Sequence, residues 1–230
     1  MMVAMEETVE PESHKSHQVF FPWRVLVVAL VIILLIVGFL ILRKSRTSDL
    51  DRGNEALVEA FANRRLIEAR LSGGFKRGEL SSSLEDLTGA DRRELERARD
   101  LILEAVANGK PNAQLAYGRL LLSEGEKLPV ASRYLRRAVE TAPADASARN
   151  DLGVCLIQQG KLEDAIDEFD KALTFNTTAR EALYNRALCY EKLQLRDVAA
   201  GGFAELAKIE TAPGWLAEIR QRADKLSALR

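Results

Sequence analysis

Histidine and cysteine, the residues that most often ligate metals or act as nucleophiles, occur only as His14, His17, Cys155 and Cys189. The histidines stand as HxxH within the first seventeen residues. Two such ligands with no third or fourth nearby cannot complete a tetrahedral metal site. Beyond His17 the chain has no histidine, so neither a histidine-based triad nor an HExxH centre has a place in it. The cysteines are 34 residues apart and form no CxxC pair. Their regular separation points to a packing position for a small apolar side chain rather than to thiol chemistry. Phosphate-cradling loops and the GxSxG nucleophile elbow are missing as well. Asn176-Thr177-Thr178 forms a glycosylation sequon, a motif that matches by chance unless the chain is secreted. The expectation is a non-enzyme with no cofactor, no metal and no small-molecule substrate.

The bulk numbers agree. Thirty-three Lys and Arg against 34 Asp and Glu leave a net charge of −1, which provides no global attraction to nucleic acid. With 47% hydrophobic and 29% charged residues the chain is neither collagen-like nor wholly disordered. Two cysteines in 230 residues cannot staple a small secreted scaffold.

Apolar residues are unevenly spread. Val25 to Leu42 is an uninterrupted apolar run of eighteen, about 27 Å of helix against a hydrocarbon core of roughly 30 Å. Phe20, Phe21 and Trp23 flank it on one side and Arg43, Lys44 and Arg46 on the other, as at the two interfaces of a bilayer. A cleaved signal peptide would have a shorter apolar region and small residues after it. The expectation is therefore a single transmembrane helix over 25–42 that contacts the lipid bilayer, preceded by a disordered tail over 1–24. The flanking basic residues place the C-terminal part weakly on the cytoplasmic side; an exported C-terminal domain is the alternative arrangement.

The C-terminal half repeats itself. Gly153, Ala165, Phe169 and Ala172 fall on Ala187, Ala199, Phe203 and Leu206, each 34 residues later. Ala131, Leu135 and Ala138 fall 34 residues before Ala165, Phe169 and Ala172, and Gly118 stands 35 before Gly153. Each unit therefore carries a small residue in a first helix, then an alanine with a bulky residue four on and a smaller one three further on, all on one face of a second helix. Such units bury their apolar faces by stacking on one another.

This pattern resembles the tetratricopeptide repeat. The resemblance covers about Pro111 to Pro213 and is best in the middle unit, where Arg149 and Thr177 depart from the usual aromatic and proline. It implies an all-α solenoid over 91–230, with repeats at about 111–145, 146–179 and 180–213. Capping helices are expected over 91–108 and 215–229, and residues 43–90 are expected to be a linker with short ordered pieces. Arg64, Arg65, Arg70, Lys76 and Arg77 make that linker locally basic, which fits a solvated helix face or weak attraction to anionic lipid.

In such an array the first helices line a concave surface that binds extended peptides or helices. The register places Arg119, Leu122, Asn150, Val154, Ile157, Gln158, Tyr184, Leu188 and Glu191 there. Family members that clamp a C-terminal carboxylate use lysine and asparagine; the matching positions are Leu115, Arg119, Asp151, Glu181 and Asn185, and only Asn185 fits. The function this implies is a membrane-tethered scaffold that binds a partner protein or peptide in the groove. The alternative is a structural subunit of a membrane or cell-envelope complex, assembled through the transmembrane and C-terminal helices.

Overall fold

A computed structural model describes residues 27–34, 36, 48–81, 83–125 and 127–228. The chain divides into two units, Met1–Arg46 and Thr47–Arg230. In the first unit the described residues, 27–34 and 36, are helical with exposed side chains. Among the described residues no helix is long and apolar enough to cross a membrane. The expected tail over 1–24 lies outside the described residues, as does half of the expected span over 25–42.

The second unit is built from helical pairs. Helices α1 (Asp49–Ala60) and α2 (Gly89–Ala107) pack on one another, followed by α3 (Ala113–Ser123) with α4 (Leu128–Thr141). Next come α5 (Ala146–Gln158) with α6 (Leu162–Phe175) and α7 (Arg180–Lys192) with α8 (Arg196–Ala207), and α9 (Pro213–Ala228) lies against α8. The first helices α3, α5 and α7 also touch in succession, which makes them one wall of the stack.

Local sequence explains where the helices start. Ser48 Oγ accepts the Asp51 N–H while the Asp51 carboxylate accepts the Ser48 N–H, and Thr88 and Asp91 do the same for α2. Each reciprocal cap satisfies two amides that the first turn leaves open. Asp145 caps α5 through the amides of Ser147 and Ala148.

The repeat spacing is a packing rule. A Cβ on Gly153 would lie 2.5 Å from the ring of Phe169, and one on Gly118 would lie 2.6 Å from Leu135. At these two positions only glycine lets the bulky residue of the second helix reach the backbone of the first, whereas the third unit carries Ala187 there. Between α5 and α6 the chain turns at Gly160 in the left-handed region, φ 76°; thirty-four residues later Gln194 holds the same conformation, φ 62°.

Two features depart from the expected layout. From Thr47 onward the stretch expected as linker belongs to the compact unit: Leu50, Ala56, Leu57, Ala60 and Phe61 form a core with Leu95, Ala98 and Ile102 of α2 and Leu120 of α3. Helix α1 is thus the partner of a helix expected to be a lone cap. A two-residue parallel ladder, β1 (Arg64–Arg65) with β2 (Glu79–Leu80), also interrupts the all-α pattern. It closes the neck of a loop, residues 66–78. Ile67, Ala69 and Leu71 of that loop are buried in the second core cluster, with Leu122, Val154, Tyr184 and Leu188.

Candidate protein-interaction groove

The inner wall is assembled from side chains projected by α3, α5 and α7, and the loop from 66 to 78 lies against it. The wall holds the loop by its main chain. The Arg70 N–H donates to Asn185 Oδ1 at 2.7 Å, and Asn185 Nδ2 donates back to the Arg70 carbonyl at 2.8 Å. Asn150 Nδ2 donates to the same carbonyl at 3.1 Å and to Ser72 Oγ at 3.0 Å, while the Ser72 N–H donates to Asp151 Oδ1 at 2.8 Å. Asn185 Nδ2 also reaches Asn150 Oδ1 at 2.9 Å, so the two amides act as one unit. A buried main chain needs such partners wherever it lies outside regular structure.

Side chains add charge. Arg70 is buried with its guanidinium 2.7 Å from Glu210, 4.2 Å from the Trp215 ring centroid and 5.6 Å from that of Tyr184. Glu68 meets Lys192 at 2.8 Å and also pairs with Arg222. Glu218 on α9 accepts from Tyr184 Oη at 2.7 Å, from Arg65 at 2.8 Å and from Arg77 at 2.9 Å. As the residue number rises from 65 to 73, the loop passes from α9 across α7 and α5 to Arg119 of α3, and Arg77 brings it back to α9.

Burial and charge pull these carboxyl groups in opposite directions. For Glu218, burial raises the pKa, but the hydrogen bonds from Tyr184 and Arg65 and the charge of Arg65 outweigh it and hold the group at about 2. Glu68 and Glu210 are also held below the ordinary value: burial opposes their charge, and Lys192 and Arg222 in one case, the Ala212 amide and Arg70 in the other, prevail. Asp151 goes the other way; complete burial pushes it up against the pull of Arg119, the Ser72 amide and Asn150. Burial likewise raises the Cys155 thiol and pushes that of Cys189 up to about 12.

The residues expected to line an open groove lie on this wall, but the chain's own loop takes up most of them. Leu122, Val154, Tyr184 and Leu188 are at most 1% exposed. Asn150 holds the loop, and Arg119 is buried with its guanidinium 2.8 Å from Asp151. Ile157 is buried at the edge, Gln158 is exposed, and Glu191 pairs with Arg222 at 2.7 Å.

The reading of the basic stretch as a solvated face is corrected for two of its residues. Arg65 and Arg70 turn inward to Glu218 and Glu210, because the array presents buried carboxylates that need cations, while Arg77 pairs with Glu218 from an exposed position. Arg70, Glu210, Trp215 and Glu218 are central residues that repeat register did not single out for the groove. The basic run Arg64 to Arg77 was visible, but its acidic partners were not, because only folding brings Glu218 to Arg65 across 153 residues of sequence. Asn185, the one match to the family's clamp, does hold a main-chain carbonyl.

Residues 124–180 match the family model of the tetratricopeptide repeat. Among solved structures, TTC0263, a thermophilic tetratricopeptide-repeat protein of Thermus thermophilus, superposes with a TM-score of 0.52 at 20% identity, over 60% of this chain and 75% of that one. YrrB, a tetratricopeptide-repeat protein with an unusual peptide-binding site, superposes with a TM-score of 0.48 at 23% identity, over 56% and 68%. None of the curated proteins matches the chain. The second unit is a tetratricopeptide-like helical solenoid.

Proposed function

We propose that this protein is a non-enzymatic, membrane-tethered scaffold whose helical array engages a segment of a partner protein. The observation that supports it most directly is the chemistry of the inner wall. Asn150, Asp151 and Asn185 are arranged to hold the N–H and C=O groups of an extended chain, the kind of contact by which repeat arrays take peptides. Clusters of three or more His, Cys, Asp or Glu that could hold a metal do not occur among the described residues.

The tether rests on the sequence from Val25 to Leu42. Val27, Val28 and Leu30 to Leu34 leave 45–60% of their surface uncovered, the pattern of side chains that lipid would cover. Arg43, Lys44, Arg46 and Arg52 favour a cytoplasmic array.

A photo-crosslinking side chain placed at Gln158, on the rim of the wall, tests the scaffold in the full-length chain in its native membranes. One discrete protein adduct is expected there and none from the same probe at the exposed Lys208, just after α8. An adduct from Lys208 with none from Gln158 would overturn the assignment. Extraction of those membranes with alkaline carbonate tests the tether, since a spanning helix stays in the pellet and release into the supernatant would exclude one.

A further inference from the structure

We infer that the loop from 66 to 78 is an exchangeable occupant of the groove, and that the partner segment which replaces it is extended and reads acidic, any residue, arginine, aliphatic. The inference rests on the scaffold reading above and names the ligand of that same wall.

The loop shows what the wall recognises. Its main chain is held at Arg70 and Ser72 by side-chain amides and a carboxylate that the main chain of another segment could meet. Specificity comes from three side chains: Glu68 between Lys192 and Arg222, Arg70 against Glu210 and Trp215, and Leu71 in the apolar core. A partner with the same three features makes the same contacts.

The loop is also built to leave. Its neck is a ladder of two residues, Arg64 with Glu79 and Arg65 with Leu80. Its far turn is Gly73-Gly74, both exposed and both at positive φ, 102° and 87°, and a Cβ on Gly74 would touch nothing within 4 Å. Ile67, Ala69 and Leu71 are no part of the core of α1 and α2, against which the loop packs only the partly buried Leu66 and Phe75.

Nor does the loop satisfy the groove completely. Trp215 Nε1 and Arg65 Nε are buried donors with no partner, and both residues line a cavity of about 30 Å³ beneath the loop.

The test uses the full-length chain in detergent and a fluorescein-labelled peptide, Leu-Ile-Glu-Ala-Arg-Leu-Ser, the sequence of residues 66–72. Loosening the loop by Arg70→Ala, or cutting it at a protease site inserted between Gly73 and Gly74, is expected to tighten peptide binding at least ten-fold. The same peptide with alanine for arginine is expected not to bind. A loosened or cut chain that keeps its helical circular dichroism and still takes up no peptide overturns the proposal.

Should both variants unfold, hydrogen exchange on the unmodified chain decides. Exchange of the Arg70 and Ser72 amides well before those in the middle of α5 supports exchange of the loop. Equal protection, showing that these amides open only with global unfolding, overturns it. Peptide uptake by the purified chain does not depend on a cellular partner, so failure at Gln158 crosslinking and failure here are separate results.

Discussion

Glu218 gathers more charge than any other side chain in the groove: it accepts from Tyr184, Arg65 and Arg77, and Arg222 lies 3.4 Å away. Its neutralisation by Glu218→Gln leaves Arg65 without its counter-charge. Removing one member of a buried ion pair costs about 3 kcal/mol or more, which should appear as a lower urea midpoint with an unchanged slope. The same group sets a pH dependence. In the unfolded chain it takes up its proton near 4.5, and in the folded chain only near 2. Its contribution is therefore complete above about pH 5 and is lost as the pH falls towards 2. Glu218→Gln should therefore flatten the acid limb of a stability-against-pH curve. At the cysteines the expected outcome is inertness. Both are buried with raised thiol pKa values, so a thiol reagent at pH 8 should modify them only when denaturant is added; rapid labelling of the native chain would contradict their role as packing residues.

At the scale of the element, the 34-residue period records how close two helices must come. Gly153→Ala would place a methyl group 2.5 Å from Phe169 and should cost about 1–3 kcal/mol through overpacking. Gly201→Ala, on an exposed part of α8 with nothing within 4 Å of the new Cβ, should instead stabilise by about 0.5–1 kcal/mol, because alanine restricts the unfolded chain and favours helix. Thermal melting of the two variants side by side checks the sign of each. The turns make a parallel point. Gln194 repeats the left-handed conformation of Gly160 without glycine's freedom there, so Gln194→Gly should raise stability by up to about 1 kcal/mol. Repeat spacing made the small-and-large pairs legible, since a glycine opposite a phenylalanine at a fixed interval is a local rule. Helix α1 was harder to read as part of the fold. Its capping box, Ser48 with Asp51, is present in sequence, but glycine and serine runs after it suggested a linker, and its pairing with α2 spans about thirty residues of irregular chain.

Over the whole molecule, burial of the loop changes what an array of this kind presents. The wall that repeat register identifies as a binding surface is covered in cis, and the positions left at its rim are Gln158 and the partly buried Glu191. Asn185→Ala should therefore act first on folding. It strands the Arg70 N–H and removes one donor from its carbonyl, a loss of about 1–3 kcal/mol, with faster tryptic cleavage after Arg70 as the accompanying sign. By itself the sequence determined the three repeating helical pairs from α3 to α8, their spacing and the absence of histidine chemistry beyond the N-terminal tail, because periodicity, small residues and missing residue types are local or compositional properties. The tertiary structure alone decided that residues 66–78 fill the groove. The loop is held by main-chain groups, which carry no sequence signature, and by ion pairs such as Arg65 with Glu218 and Arg70 with Glu210, whose members lie 140 or more residues apart and become partners only once the stacked helices form a wall along which the loop reaches the last helices.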